Sequence, residues 1–255
     1  MSQEHLSFSV ITVCFNSAET LNRALDSVAK QDWPYVEHIV IDGGSKDRTA
    51  QVLAENRARL AHVVSEPDRG IYDAMNKGLD LATGDVICFL NADDYYGSTQ
   101  VLSKVASTMQ QEHLDAVVGD VGFFRKDNIN RLVRHYRSGR FTPKRLAWGW
   151  MPAHPALFMR REVFKRIGHF KIDYEIAADY EYVVRAFCGQ TPLRYKHLPE
   201  VLVRMQMGGV STKGIGATIR LNQEIIRACR ENGVATNYLK IFVKYPLKLL
   251  EFFRP

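Results

Sequence analysis

Residues 66–94 constrain the fold of this 255-residue chain more than any other segment, because they read in order as a turn, a helix, a turn and a strand. Apolar residues recur at helical spacing from Ile71 to Ala82, and the Thr-Gly-Asp sequence at 83–85 ends the helix, since glycine readily adopts the backbone of a C-terminal cap. Residues 86–90 are all apolar, which is typical of a strand buried on both faces. This succession predicts an α/β fold with flanking helices.

Polar and acidic side chains follow directly at the C-terminal end of that strand, at Asn91, Asp93 and Asp94. In open α/β sheets, ligands bind outside the carboxyl ends of the strands. Carboxylates placed there are hard oxygen ligands for a divalent cation that also carries substrate phosphates. Asp and Asn are also favoured at the start of a helix. This segment alone therefore predicts either a metal and phosphate site or a helix cap.

Three more strand patterns precede this segment, at residues 9–15, 36–41 and 60–65, with helix patterns between them. Strand–helix alternation with short loops predicts a mostly parallel, Rossmann-like sheet covered by helices. The second strand runs into Asp42 and two glycines. The Asp42 carboxylate is suited to accept hydrogen bonds from a ribose or a base, although Asp-Gly is also a common turn. The absence of a G-x-G-x-x-G fingerprint after the first strand, and of a P-loop, argues against the other common nucleotide folds.

The charge of the chain is divided unevenly. Residues 1–120 contain nine Lys and Arg against eighteen Asp and Glu, whereas residues 121–255 contain twenty-five against ten. The basic second half makes nucleic acid, anionic lipid and phosphate-bearing substrates candidate partners, unless it is only a solvated surface. The acidic first half argues against nucleic acid.

Three further patterns bear on the cellular location. The four cysteines are scattered and form no CxxC pair, which suits a reducing compartment. The N-terminus lacks the basic start of a signal peptide. No run of about eighteen apolar residues occurs, so no segment reads as a membrane-spanning helix. We therefore expect a cytoplasmic protein.

The second half carries three candidate site residues. His154 stands beside two prolines and either contacts a substrate phosphate or is a satisfied buried histidine. Asp179 precedes a helix pattern and is either a plain N-cap or a general base that removes a proton from an attacking hydroxyl. Ser211 belongs to a glycine-containing loop at 208–212 that is suited to close over a diphosphate. Residues 122–135 resemble a hairpin or irregular strands.

Taken in order, the motifs of the chain resemble those of family 2 glycosyltransferases with the GT-A fold. The resemblance covers roughly residues 7–212 and extends to bacterial enzymes that build O-antigen, capsule or exopolysaccharide repeat units. Six motifs carry it: Asn16 after the first strand, DGGSKD at 42–47, DRGIYDAMNKG at 68–78, FLNADD at 89–94, HPA at 154–156 and AADYE at 177–181.

This resemblance implies a role for each matched residue. Asp93 would be the metal ligand that joins Mn²⁺ or Mg²⁺ to the diphosphate, at the last position of the DxD motif. Asp179 would be the base that deprotonates the acceptor hydroxyl for direct displacement at the anomeric carbon. His154 and Ser211 would lie on the acceptor or diphosphate side. The nucleotide would be held by Thr12, Asn16, Asp42, Arg69, Lys77, Asn91 and Ala92.

Three departures from the family pattern bear on activity. Asn91 stands where the DxD motif usually begins with Asp, and Ala178 stands where many members carry Glu. Met75 stands where many members carry Arg, a charge that Arg69 or Lys77 can supply. None of these departures removes the metal ligand or the base. The resemblance therefore implies an active, inverting, metal-dependent enzyme.

The expected donor is a nucleotide-sugar, with UDP placed first by family frequency. The expected acceptor is a polyprenyl-diphosphate-linked saccharide or a polysaccharide. Asn91 and Ala178 also motivate an alternative, a degenerate module that binds a nucleotide-sugar or a lipid carrier without turnover. A nucleotidyltransferase is a further alternative, but it would need a Gly-rich basic loop after the first strand, where residues 14–17 read Cys-Phe-Asn-Ser.

The motifs divide the chain into a catalytic domain over residues 1–214 and a C-terminal amphipathic helical segment over residues 215–255. Within the domain, residues 1–120 form the nucleotide-sugar half and residues 121–214 the acceptor half. The C-terminal segment is rich in aromatic residues and has a lysine at every fourth position from 240 to 248. Such a segment either lies on an anionic membrane surface, as in a peripheral enzyme on the cytoplasmic face of the inner membrane, or packs on the catalytic domain.

Overall fold

The computed structural model describes residues 5–208 and 214–243. Within them the chain forms nine strands and nine helices. The strands are β1 (Phe8–Cys14), β2 (Val36–Asp42), β3 (His62–Ser65), β4 (Val86–Phe89), β5 (Tyr95–Tyr96), β6 (Ala116–Arg125), β7 (Asn128–Tyr136), β8 (Leu157–Arg160) and β9 (Tyr195–Gln206). The helices are α1 (Leu21–Ala29), α2 (Thr49–Glu55), α3 (Ile71–Leu81), α4 (Val101–Gln111), α5 (Pro143–Leu146), α6 (Arg161–Ile167), α7 (Ala178–Cys188), α8 (Gly214–Glu231) and α9 (Tyr238–Phe242).

The first half of the chain builds a parallel sheet with β1 at its centre. β2 and β4 pair in parallel on either side of β1, and β3 pairs in parallel with the outer edge of β2. In this register Cys14 lies opposite Asp42, and Asp42 lies opposite Ser65. Helix α3 lies close on this sheet because it carries Gly78, where a Cβ would come within 2.4 Å of Ile11 Cγ2. The ends of β1, β2 and β3 therefore meet along one edge, together with the polar residues there.

The second half extends the sheet with mixed pairings. β8 runs antiparallel to β4 and to the first part of β6, while β9 runs parallel to β6 and antiparallel to β5. The order is β3-β2-β1-β4-β8-β6-β9-β5. The hairpin predicted at residues 122–135 is formed by β7 and the outer part of β6. The predicted parallel arrangement thus describes β1 to β4, and the rest of the sheet is mixed because β5, β7 and β8 run in the opposite direction to their neighbours.

Helices α8 and α9 share the core of the α/β fold that precedes them. Ile225, Ile226 and Cys229 of α8 are buried in the same apolar cluster as α3 and α7. Ile241 of α9 is fully buried there as well. Of the two alternatives for the C-terminal segment, packing on the domain describes the part up to residue 243, whereas residues 244–255 lie outside the described chain. None of the described helices is both long and apolar enough to cross a membrane.

Candidate active site

Asn16 ties the loop after β1 to the loop after β2. Its backbone is left-handed, with φ of 49°, a conformation uncommon outside glycine that turns the chain at the end of β1. Its Oδ1 accepts a hydrogen bond from the Lys46 backbone N–H at 2.8 Å, and its own N–H donates to Ser45 Oγ at 2.7 Å. Asn16 therefore shapes the edge of the sheet through its neighbours.

Asp42 ends β2 and is fully buried. Its carboxylate accepts hydrogen bonds from the Ser65 hydroxyl at 2.6 Å and from the backbone N–H and hydroxyl of Ser45. Ser65 ends β3, so the carboxylate joins two strand ends and the loop after β2. The two serines were not predicted as site residues; Ser45 belongs to the DGGSKD motif at 42–47, and Ser65 is marked in the sequence only by its position at a strand end. A nucleotide that contacts Asp42 has to replace or join these hydroxyls.

Thr12 lies away from this edge. It is fully buried two residues before the end of β1, and its hydroxyl hydrogen-bonds to His38 Nε2 at 2.9 Å. Burial lowers the pKa of His38 to about 3, so this imidazole is neutral near pH 7. The Thr12 hydroxyl therefore has a partner in the core, and its contact with the nucleotide stays a prediction.

The two predicted nucleotide-binding cations lie on or beside α3. Arg69 pairs with Asp73 at 2.9 Å, and 73% of its side chain is exposed. Lys77 pairs with Glu66 at 2.7 Å and donates to the Pro67 carbonyl at 3.1 Å. Each cation therefore has partners in its own stretch of chain and has to exchange them to bind a phosphate.

The end of β4 carries an acidic cluster beside an arginine. Asp94 is 1% exposed, and burial together with the neighbouring Asp93 raises the pKa of its carboxyl well above the usual range. Burial also raises the pKa of Asp93, an effect that Arg23 opposes. Arg23 Nη2 donates to the Asp93 carbonyl at 3.0 Å, and its guanidinium lies over the rings of Tyr95 and Phe124 at 5.1 and 5.0 Å. Arg23 was not predicted, because in the sequence it is an ordinary polar position of an amphipathic helix.

The residues of this cluster fit a divalent cation. Oδ1 of Asn91 and Oδ1 of Asp94 are buried without a hydrogen-bond partner, whereas Ala92 between them packs in the core. Buried oxygens of this kind are costly unless a ligand binds them, and oxygen donors suit Mg²⁺ and Mn²⁺. Within residues 5–208 and 214–243, no three His, Cys, Asp or Glu side chains form a cluster able to hold a metal ion. The donor set therefore suits a cation that takes most ligands from substrate phosphates and water.

Asp179 lies in the first turn of α7 and is bonded to the first half of the chain. Its Oδ1 accepts hydrogen bonds from the Tyr180 backbone N–H at 2.7 Å and from the Tyr72 hydroxyl of α3 at 3.4 Å. The same hydroxyl donates to the Ile176 carbonyl at 2.6 Å. The N-cap of α7 is Ala177, so the structure does not use Asp179 as the helix cap.

His154 lies near enough to Asp179 for their charges to interact, so two residues predicted separately are brought together. The ring of His154 stacks on Phe89 at the end of β4, with centroids 5.4 Å apart, and meets Phe170 at 6.0 Å. Burial lowers the pKa of His154 and raises the pKa of Asp179, while the charge of each group opposes the shift of the other. The arrangement holds a carboxylate more basic than usual beside an imidazole that resists protonation. Ser211 lies outside the described residues.

Similar proteins are found for most of the chain. Residues 9–168 match the family model described as Glycosyl transferase family 2. The chain belongs to glycosyl transferase family 2. This glycosyltransferase is 35% identical to a PGL/p-HBAD biosynthesis glycosyltransferase of Mycobacterium bovis over 209 residues. The aligned residues make up 80% of this chain and 78% of the relative.

Solved structures of low sequence identity share the fold of this glycosyltransferase. TarS of S. aureus in complex with UDP-GlcNAc matches with a TM-score of 0.69 at 21% identity, over 88% of this chain and 66% of that chain. The mannosyltransferase PcManGT of Pyrobaculum calidifontis, in complex with GDP-Man and Mn²⁺, matches with a TM-score of 0.63 at 22% identity, over 90% of this chain and 64% of that chain. The α/β GT-A fold expected from the motifs is confirmed.

Proposed function

We propose that this glycosyltransferase is an inverting, metal-dependent enzyme that moves a sugar from a nucleotide-sugar to a hydroxyl of a lipid-linked or polysaccharide acceptor. The observation that carries the proposal is the hydrogen bond from Tyr72 to Asp179. It joins a carboxylate of the second half to the helix that directly precedes β4 and its acidic cluster. A direct displacement at the anomeric carbon needs one base and no protein nucleophile, and a single displacement inverts the configuration.

Asp179 is suited to take the proton of the acceptor hydroxyl. Burial raises its pKa, and a carboxylate with a raised pKa is a stronger base once it is ionised. The neighbouring His154 is kept neutral by burial, which lowers its pKa. Its imidazole is therefore available to hydrogen-bond the acceptor or a phosphate oxygen.

The donor is proposed to be a UDP-sugar, since TarS binds UDP-GlcNAc, although PcManGT binds GDP-Man. Asp93 would hold Mn²⁺ or Mg²⁺, with the unpartnered oxygens of Asn91 and Asp94 beside it. When bound, the cation offsets the negative charge that develops on the leaving diphosphate. The loops at Asn16 and Asp42 line the same edge and would receive the nucleoside.

The acceptor is proposed to lie at an anionic membrane surface, where the enzyme is peripheral on the cytoplasmic face. On α9, Leu239 and Phe242 are 80% and 55% exposed, while Ile241 anchors the helix in the core. Lys240 Nζ lies 5.8 Å from the ring centre of Trp148, which is itself partly exposed. Exposed apolar side chains beside lysine and tryptophan are typical of helices that lie in a membrane interface. A lipid-linked acceptor also suits the Mycobacterium bovis relative, which is named for PGL/p-HBAD biosynthesis.

The variant Asp179→Asn tests the role of the base. We expect it to bind UDP with wild-type affinity in calorimetry and to transfer sugar about 100-fold more slowly or worse, because an amide does not take up the proton. The exposed Asp32→Asn serves as the matched control and should retain full activity. Transfer at the wild-type rate by Asp179→Asn refutes the assignment. UDP binding that is equally tight with and without Mn²⁺ or Mg²⁺ refutes the role of Asp93 as a metal ligand.

A further inference from the structure

A carboxylate of α8 holds the loop that leads to Asp179. Oε1 of Glu224 accepts a hydrogen bond from the backbone N–H of Glu175 at 2.8 Å. Its Oε2 accepts from the backbone N–H groups of Ile176 at 2.9 Å and Ala177 at 2.8 Å. Glu224 is 9% exposed, so these bonds form largely out of contact with water.

These three bonds hold the backbone that enters α7, at the N-cap residue Ala177 and the two residues before it. The first N–H groups of a helix, and those just before it, have no partner inside the helix. In α7 no side chain of the neighbouring loop supplies one, because the N-cap is Ala177. The carboxylate of Glu224, 47 positions after Ala177 in the chain, satisfies the N–H of Ala177 and of the two residues before it. Charge-assisted bonds are stronger than neutral ones, and the positive end of the helix dipole also favours an anion there.

Other side chains of α8 hold the earlier part of the same loop. Arg220 pairs with the Glu175 carboxylate, and Arg227 pairs with Asp173. Glu231 accepts a hydrogen bond from the Tyr174 hydroxyl at 2.9 Å. The two ion pairs join exposed groups, so each contributes little alone. Of the α8 side chains named here, the buried Glu224 is the one that binds the end of the loop, at residues 175–177.

The opposite side of the loop is held by α3. Asn76 Nδ2 donates to the Phe170 carbonyl at 2.9 Å, and Asn76 Oδ1 accepts from the Phe170 N–H at 2.8 Å. Tyr72 of the same helix bonds both the Ile176 carbonyl and Asp179. Residues 170–177 thus lie between α3, which precedes β4, and α8, which follows β9.

We propose that Glu224 is a positioning residue for the proposed base. Its carboxylate fixes the backbone at residues 175–177, and this backbone sets where Asp179 stands at the start of α7. This inference rests on the proposed function, in which Asp179 removes the acceptor proton. It also gives α8, which sequence analysis placed outside the catalytic domain, a direct part in the reaction geometry.

Amide hydrogen exchange and kinetics on the full chain test the proposal with Glu224→Ala and Glu224→Gln. In Glu224→Ala, the amides of residues 175–177 should exchange about tenfold faster or more, while those of α3 stay protected. The kcat for transfer should fall about tenfold or more because the base is displaced. This kcat is calculated per UDP-binding site, so that unfolded protein is not counted. The KM for the nucleotide-sugar and the affinity for UDP should not change. Glu224→Gln keeps one acceptor oxygen and should recover part of both effects.

Three results would overturn the proposal. Exchange at residues 175–177 that stays at the wild-type rate in Glu224→Ala means that the carboxylate does not hold the loop. Faster exchange at residues 175–177 with an unchanged kcat means that this loop does not determine the position of Asp179. An equal loss of kcat in Gln223→Ala, a change of the exposed neighbour on the same helix, points to a general effect on α8. Failure of the proposed function is seen separately, as full transfer by Asp179→Asn, and it leaves the exchange result unaffected.

Discussion

Removing one hydroxyl, in Tyr72→Phe, should shift the pH dependence of transfer. The single hydroxyl proton of Tyr72 is shared between the Ile176 carbonyl at 2.6 Å and, more weakly, Asp179 Oδ1 at 3.4 Å. Burial raises the pKa of Asp179, and the bond from Tyr72 opposes that rise because it favours the charged carboxylate. Phenylalanine fills the same space without the donor. The pKa of Asp179 should therefore rise further in the variant.

The size of the shift follows from the length of the bond. A well-made hydrogen bond to a charged group contributes about 1.5–3 kcal/mol, and one of 3.4 Å is at the weak end, so we take about 1 kcal/mol. Since about 1.4 kcal/mol corresponds to one pKa unit, the expected rise is about 0.7 unit. Asp179 must be ionised to act as a base. The acid limb of the rate profile should therefore move to higher pH by that amount, with the plateau above it retained.

The measurement is kcat/KM for sugar transfer as a function of pH. Tyr182→Phe is the matched control, because its hydroxyl also donates to a backbone carbonyl, that of Gly168 at 2.7 Å, and has no bond to Asp179. Both variants lose a buried hydrogen bond of about 1 kcal/mol, so both should be somewhat less stable. Only Tyr72→Phe should move the acid limb. An unmoved limb, a limb moved to lower pH, or an equal shift in Tyr182→Phe refutes the reasoning.

Two further predictions concern stability and membrane binding. Burial acts to raise the pKa of Glu37, but hydrogen bonds from Ser9 and Thr83, among others, lower it overall. Glu37→Gln should therefore lower the free energy of unfolding by about 1–2 kcal/mol near neutral pH, and by progressively less as the pH falls through the pKa of Glu37 in the folded protein. Urea unfolding measures this loss, and an equal loss at neutral and at low pH contradicts the prediction. The double change Leu239→Ser and Phe242→Ser removes two exposed apolar side chains. In flotation with anionic vesicles, this variant should bind at least about tenfold more weakly than the wild type. Wild-type flotation by this variant would rule out α9 as the contact.

The ends of β2 and β4 were predictable because each of these strands lies in a short apolar run that stops at a polar residue. Residues 86–90 are all apolar and stop at Asn91, and the second run stops at Asp42. Parallel pairing then brings β1, β2 and β4 side by side, with their polar ends at one edge. For this reason the acidic cluster and the loop after β2 were placed correctly on the sheet from sequence alone.

Contacts between distant elements were not predictable. Thr12 belongs to the same apolar run as its neighbours, and the sequence does not say that its hydroxyl meets His38 inside the fold. Arg23 reads as a solvent-facing position, whereas it lies beside the acidic cluster. The pattern of α8 shows one apolar face but not the surface that this face covers. The segment was therefore separated from the catalytic domain, although Ile225 and Cys229 are buried in the main core.

The loops after β1 and β2, proposed to receive the nucleoside, were predictable from local sequence, whereas the contacts that place the proposed base, Asp179, were not. The family match ends at residue 168, before Asp179 and Glu224. Backbone geometry restricts the nucleotide-side loops: a Cβ on Gly43, for example, would come within 2.5 Å of Asp68 Oδ2. The loop that leads to Asp179 is held differently, because Glu224 binds its backbone N–H groups at residues 175–177 and Tyr72 binds the Ile176 carbonyl. The placement of the proposed base in this chain therefore depends on contacts from α8 and α3, two helices that are far apart in the sequence.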